Sequence, residues 1–314
     1  MINNFFKIAF RNLLKEKLYS IINILGLAIG ISACLLILLF INSELSFENM
    51  HPSGERIYRI LTIDKALGTN NQRVGITMPA LGLTVQKSIS EVEAALRLTG
   101  GGKVLLKFQD RIGVYSQNAK FSDPNFFDFF NFELLQGDPE TALKEPYTAI
   151  LTESLARSVL GEAEPLGKII TTGDNEDLRI TGILKELPPN THLDFDLLIS
   201  MSTLEALIRQ NQPPGSNQPT FLESWNSISM PTYLKLLPGA SPDGLDDRLT
   251  RLCLDNGVGK NFEITLQPLK DVHLKSADVI FDNIARKGDL KNLYIFSIIG
   301  VLILVIAAVN YMNL

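Results

Sequence analysis

The chain has 314 residues, of which 46% are hydrophobic and 20% charged, with a formal net charge of −5. An acidic balance with no basic run beyond the N-terminus argues against a nucleic-acid partner. Two cysteines cannot build a disulfide scaffold, and Cys34 falls in an apolar segment while Cys253 falls in the middle region, so no intrachain disulfide is expected.

Residues 1–19 are predicted to form an amphipathic helix on the cytoplasmic side. At about 100° per residue, Phe6, Phe10 and Leu14 share one side with Ile2, Ala9 and Leu13, while Lys7, Arg11 and Lys15 share the other with Asn4. A basic face opposite a Phe/Leu face suits a helix lying at the membrane interface of an anionic leaflet. Packing on the protein's own spans is the alternative, and both can hold.

Residues 20–41 carry no charge and read as the first transmembrane helix. A helix of that length rises about 33 Å, enough for a hydrocarbon core of about 30 Å. It is longer than a signal-peptide core, and no small-x-small cleavage site follows it, so the span is expected to be retained. Gly26 and Gly30 stand four apart, a spacing that lets helices approach closely. Packing on another span of the same protein is favoured over a dedicated dimer seam. Lys7, Arg11, Lys15 and Lys17 precede this span, and Glu44 and Glu48 follow it. The basic side stays inside, which places the N-terminus in the cytoplasm and residues 42–292 outside. Arg286, Lys287 and Lys291 oppose that orientation, but long translocated domains are largely insensitive to their charge.

The middle region alternates strand and helix signals. Ile57 to Asp64 alternates as a strand. Pro79 opens a helix carrying Leu81, Val85 and Ile89. Gly100-Gly101-Gly102 is a turn before strand-like Val104 to Phe108. Ser122-Asp123-Pro124 reads as a helix start capped by Asp123, with Phe126, Phe129 and Phe130 on one face. Thr152 is predicted to cap a helix that Gly161 ends. Strands follow at Leu178 to Leu184, Phe195 to Ser200 and Thr232 to Leu237. Between them, Gln212 to Pro219 lacks apolar residues to bury and reads as a mobile loop. Ser241-Pro242-Asp243 starts a helix with Leu245, Leu249 and Leu252 on one side and Asp243, Asp246 and Asp247 near its positive dipole end. Gly257 ends that helix, and Phe262 to Gln267 is a last strand. The class is therefore an α+β extracytoplasmic domain between two transmembrane helices. The second of these covers residues 293–314, again without a charge. Apolar spans at both ends lead us to expect the front part of a longer membrane protein, with the second span truncated.

Motifs of catalysis are missing. There is no GxxxxGK[ST] loop, no GxGxxG after a strand, no HExxH and no CxxC. His51, His192 and His273 are dispersed along the chain, and hydrogen-bonded structural roles suit them better than metal binding. His192 stands near Asp194 and Asp271 near His273, without a nucleophile motif beside either pair. No catalytic, cofactor-binding or metal-binding residue is expected.

Several ordered stretches resemble the MacB/FtsX-type ABC transporter permeases with a large extracytoplasmic domain. These are FFKIAFRNLLKEKLYSIINILGLAIGISACLLI, ELSFENMHPSGERIYRI, FSDPNFFDFFNFELLQGDPETALKEPYTAILTESLARSVLGEAEPLGKII, ITGILKELPPNTHLDFDLLIS, TYLKLLPGAS, LQPLKDVHLKS and IFSIIGVLILVIAAVNYMNL. The resemblance implies a MacB-like periplasmic core. Its porter-like subdomain would come from about 42–120 and 226–292, with an inserted subdomain at about 121–225. Such a chain must return to its start, because residues 43 and 292 each adjoin a span. The resemblance further implies a non-catalytic permease subunit of a bacterial inner (plasma) membrane, transmitting ATPase-driven motion outward for export or efflux. Its implied partners are a separate ABC ATP-binding subunit, the lipid bilayer, a second permease copy or half, and a periplasmic adaptor or other extracytoplasmic protein. It implies no cofactor. The alternative is the extracytoplasmic sensor region of a two-span signalling receptor, and a membrane-anchored enzyme is a third class. Sequence beyond residue 314 separates them, since further spans fit the permease and a helical linker with a kinase domain fits the receptor.

Overall fold

The structure, a computed structural model, describes residues 17–65, 71–100, 102–213, 218–260, 262–282 and 286–312. The N-terminal amphipathic helix, with Phe6, Lys7, Phe10, Arg11, Leu14 and Lys15, and the centre of the Gln212 to Pro219 loop lie outside the described residues. Two units are present: the apolar helices with their flanks, through Ser46 and from Gly288, and the region Phe47–Lys287.

In the first unit, helix α1 (Lys17–Leu45) and the last helix of the chain (Leu290–Met312) extend past the predicted spans at their water-side ends. Each is long and apolar enough to cross a membrane. They pack antiparallel. Phe40 meets Phe296 edge-on at 5.1 Å, the Cys34 thiol donates to Gly300 O at 3.4 Å, and Asn310 Nδ2 donates to Asn23 O at 3.2 Å.

In the second unit one mixed sheet organises the region. Its strands are β1 (Ile57–Asp64), β2 (Arg73–Val74), β3 (Val92–Gly100), β4 (Val104–Lys107), β5 (Val114–Ser116), β6 (Ala119–Ser122), β7 (Leu134–Gly137), β8 (Thr148–Thr152), β9 (Ile169–Thr172), β10 (Asp177–Leu184), β11 (Leu197–Ser200), β12 (Thr232–Leu236) and β13 (Phe262–Pro268). The order is β13-β1-β12-β3-β6-β11-β8-β10-β9-β4-β5, with β2 on β1 and β7 on β10. The β6–β11 and β8–β10 pairs are parallel. The α+β class read from the sequence holds. The pattern did not reveal β3, β6, β8 or β9; β8 and most of β6 are buried on both faces and so lose the alternation that marks a half-exposed strand.

Strand β3 is the seam. Its first part pairs with β12 as far as Arg97↔Thr232, and its last part pairs with β6 from Leu98↔Ser122. One face of the β13-β1-β12 half is covered by α2 (Pro79–Ser88) and α6 (Leu245–Asp255), over a core of Ile60, Leu81, Val85, Leu234, Leu249 and Ile264. In the other half, α4 (Glu153–Leu160) covers Ala149, Leu151, Ile180, Leu197 and Ile199. A third core spans the seam: Ile57, Leu96, Leu98, Ile150, Leu198 and Tyr233 under Phe126, Phe129 and Phe130. The first two of these phenylalanines lie in the one-turn helix α3 (Phe126–Phe129) and all are buried, each contributing about 1.5–3 kcal/mol of transfer free energy. Helix α5 (Met201–Gln210) completes the set, and the last helix of the chain is α7.

Several predicted caps are corrected. Pro79 does open α2, but Asn125, not Asp123, precedes α3, and neither Asn125 nor Thr152 makes a side-chain cap bond. Gly161 does end α4, at φ +67, where a side chain would be strained. Helix α6 begins only after Gly244, and Ser241-Pro242-Asp243 forms the turn before it. Asp246 and Asp247 do stand in the first turn of α6, and Asp246 has a further use. Its carboxylate accepts from Leu266 N–H at 3.2 Å and Thr265 Oγ1 at 2.9 Å, while Thr250 Oγ1 accepts from Ile264 N–H at 2.9 Å. Side chains of α6 thus occupy donors on the free edge of β13, which would otherwise template a further strand.

Candidate functional site

The densest polar cluster lies inside the second unit, beneath the seam. Glu48 and His51 come from the segment that follows α1 in the chain. Thr191 and His192 come from the β10–β11 connection, Arg59 from β1 and Tyr233 from β12. Register explains the last two: Arg59 stands opposite both Gln267 and Tyr233, and Tyr233 opposite Leu96, so all share one sheet face.

Glu48 is fully buried and non-glycine, yet its backbone sits at φ +62. Such a conformation costs about 1–3 kcal/mol and persists only where its surroundings fix it. Here they do. Glu48 Oε1 accepts from the His192 backbone N–H at 2.5 Å and pairs with His192 Nδ1 at 2.9 Å. Thr191 Oγ1 donates to Oε2 at 3.4 Å, and Glu48 N–H donates to Asn190 O at 3.0 Å. His51 Nε2 lies 3.1 Å from Oε2 as an electrostatic contact without hydrogen-bond alignment, while its Nδ1 accepts from Asn131 N–H at 3.0 Å. Burial works to raise the Glu48 carboxyl, but attraction to His192, hydrogen bonds from its ring and backbone, and the close approach of His51 outweigh it, holding the group far below the usual carboxylate range.

The network continues. His192 Nε2 and Tyr233 Oη are 2.7 Å apart. Burial, with the charges of Glu48 and Asp282, pushes the Tyr233 phenol well above its ordinary value against the pull of Arg59. Arg59 donates through Nε and Nη2 to Gln267 Oε1 and through Nη2 to Ser276 Oγ, with Asp282 at 3.6 Å. Burial lowers its guanidinium from the ordinary arginine value, opposed by Tyr233 and Asp282. A second buried clamp holds the seam. Asp123 accepts from Arg97 through both oxygens at 2.8–2.9 Å, and Arg97 Nη1 donates to Leu222 O. This is the use of Asp123 that displaced the predicted cap.

The histidine pairs suggested by sequence proximity do not form. Asp194 faces Asn118, Asp271 pairs with Lys275, and His273 stacks on Phe47 at 3.4 Å. Among the described residues no group of three or more His, Cys, Asp or Glu side chains is arranged to hold a metal ion. Cys34 and Cys253 are free thiols, and burial pushes Cys253 up to about 12. In the first unit a Cβ on Gly26 would lie 2.7 Å from Asn310 Nδ2, and one on Gly30 would lie 3.1 Å from Ala307 Cβ. Sequence reading missed Glu48, Arg59, Arg97 and Tyr233 as partners. The available signal was Arg59 in IYRILTID, an arginine in line with Ile57 and Leu61.

This cluster ties four chain segments together: the one after α1, the β10–β11 connection, β1 and β12. The family model of the MacB-like periplasmic core domain matches residues 20–252. A domain of a Porphyromonas gingivalis protein named as a permease shares the fold at TM-score 0.56 and 24% identity, over 69% of this chain and 92% of that one. The periplasmic region of MacB from Actinobacillus actinomycetemcomitans aligns at TM-score 0.47 and 17% identity, over 68% of this chain and 89% of that one. The extracellular domain of the noncanonic ABC-type transporter YknZ from Gram-positive bacteria aligns at 0.45 and 14%, over 67% and 99%. No curated protein matches the chain. With two apolar helices outside a periplasmic-type domain, this is a membrane protein with an extracytoplasmic region. The chain belongs to the MacB-like periplasmic core domain family of ABC-type transporter permeases.

Proposed function

We propose that the chain is a permease subunit that carries ATPase-driven motion across the bacterial inner membrane to its extracytoplasmic domain, for export or efflux. ATP is hydrolysed on a separate ABC subunit, and a second permease copy or half completes the membrane part. The observation that carries this reading is the Glu48 node. Its carboxylate, three residues past the last residue of α1, is bonded to the β10–β11 connection, and His192 carries the link to β12. A movement imposed on the segment after α1 is therefore delivered to both halves of the sheet. The basic residues before α1 support a cytoplasmic N-terminus. Lys7, Arg11 and Lys15 would seat the N-terminal helix on the anionic leaflet, at about 1 kcal/mol each. We further read the insert as residues 101–225 rather than 121–225, because β4 and β5 pair at the β9 end of the sheet.

The test is reconstitution with a partner ABC ATPase in proteoliposomes. A fluorophore on a cysteine at Gln212 should change its signal on ATP addition, and Glu48→Ala should abolish the change while the ATPase still co-purifies. An ATP response that survives Glu48→Ala, or ATP hydrolysis that tracks this chain alone, would overturn the reading.

A further inference from the structure

The connection between β10 and β11, residues 185–196, carries Pro188 and Pro189, which have no N–H to donate. This stretch therefore depends on donors from elsewhere in the chain for its carbonyls. Two segments supply them. From the segment after α1, Glu48 N–H donates to Asn190 O at 3.0 Å, and the Glu48 carboxylate takes the His192 N–H at 2.5 Å. From the segment before α7, Arg286 Nη1 donates to Pro188 O at 3.0 Å. Glu48, Thr191 and His192 are buried, so water does not compete for the first of these grips.

The two gripping segments also hold each other. The Phe47 ring lies flat on the His273 imidazole, with centroids 3.4 Å apart and planes 6° from parallel, and both residues are buried. His273 Nδ1 donates to Arg286 O at 3.1 Å. The contacts thus close into a ring. It runs from Glu48 to the Pro188–His192 stretch, on to Arg286, through His273 to Phe47, and along the chain back to Glu48. Arg286 stands 98 positions from Pro188, and Glu48 stands 144 from His192, so no local element holds these segments together. In a closed ring each contact keeps in place the partners of the next. Loss of one contact loosens all three segments, whereas in a row of independent contacts it would loosen only its own pair.

We propose that this ring is a buckle. It holds the segment after α1, the segment before α7 and the β10–β11 connection as one unit that opens and closes as a whole. Strands β10 and β11 lie in the half of the sheet beyond the seam, so the buckle decides whether that half moves together with both segments. The inference goes beyond the transport reading, since it concerns how the fold is closed whether or not an ATPase drives it.

The test is hydrogen exchange of the full chain in zwitterionic nanodiscs, read over residues 47–51 and 190–193. Arg286→Met removes the donor to Pro188 O, which lies outside both stretches. It should nonetheless raise exchange in both by at least about 5-fold. His273→Ala, which removes the stack on Phe47 and the bond to Arg286 O, should do the same. Lys287→Met is the control: Lys287 bonds Val279 O and Asp282 outside the ring, so exchange in both stretches should stay within about 2-fold of the parent. Arg286→Lys keeps a donor and serves if the Met variant does not fold; it should raise exchange in both stretches together. A rise confined to one stretch, or no rise beyond that of Lys287→Met, would overturn the buckle. No nucleotide or ATPase is present, so this outcome is separate from that of the transport test.

Discussion

Glu48 Oε1 receives both the backbone N–H and the Nδ1 of His192, at 2.5 and 2.9 Å, across 144 positions of sequence. One carboxylate oxygen thereby fixes the position and the ring of a residue on the far side of the sheet's chain path. Removing the carboxylate leaves His192 and Thr191 donors buried without an acceptor. Loss of one partner of a buried, hydrogen-bonded pair costs about 3–5 kcal/mol. Glu48→Ala should therefore lower the melting midpoint of the detergent-solubilised chain by about 10 °C, at about 2–4 °C per kcal/mol for a domain of this size. A drop of under about 2 °C would show that the node does not hold the fold.

The same carboxylate predicts acid sensitivity. Its group is depressed in the folded state from an ordinary value of 4.5. Below that value the unfolded chain takes up a proton that the folded chain refuses, so stability rises with pH in this window. The contribution is fully present above 4.5 and is lost as pH falls through the folded value. The stability gap between the parent and Glu48→Gln, measured by urea melts, should stay level from neutral pH to about pH 5 and shrink from there to about pH 3. A gap that stayed constant would remove Glu48 as the titrating group.

Arg97 and Asp123 make a second buried bidentate pair, with side chains 7% and 15% exposed. Single replacements strand the surviving charge, whereas removing both does not. Asp123→Leu and Arg97→Met should each destabilise by about 3 kcal/mol, and the double variant should be less damaged than the sum by at least about 1 kcal/mol. Additivity in that cycle would mean that the two side chains act independently.

The β13 edge is occupied by Asp246 and Thr250 rather than by a strand. Replacing them together, Asp246→Ala with Thr250→Val, frees the Ile264 and Leu266 donors. The variant should form concentration-dependent higher-mass species by light scattering in detergent, where the parent does not, because an open edge recruits another strand. Unchanged mass over a 50-fold concentration range (roughly the span over which a weak association shows) would count against edge protection.

Gly30 faces Ala307, with 3.1 Å between a built Cβ and the Ala307 Cβ. A leucine cannot fit there without parting the helices. On a Cys34→Ser background, cysteines at Phe40 and Phe296, whose rings are 5.1 Å apart, should crosslink readily. Gly30→Leu should reduce that yield several-fold. Equal yields would place the close approach of α1 and α7 elsewhere.

Length, charge and hydropathy by themselves determined the plan of this protein: two uncharged spans of bilayer length enclosing a mixed α+β region without catalytic motifs. They also located β1, β10, β12 and β13, because those segments carry strand-length apolar runs bounded by turn residues. Tertiary structure decided what local pattern cannot encode. Strand β3 was not read from the sequence at all, and only its two successive partners reveal it as the seam. Asp123 has the local chemistry of a helix cap, but bonding to Arg97 takes it instead, and Asp246, in the first turn of α6 as its sequence position implies, also reaches the β13 edge. Glu48, His192 and Tyr233 are each unremarkable where they stand in the chain. Their chemistry exists only when the fold removes water from all three and leaves each as the other's available partner, which is a property of burial and proximity and not of sequence spacing.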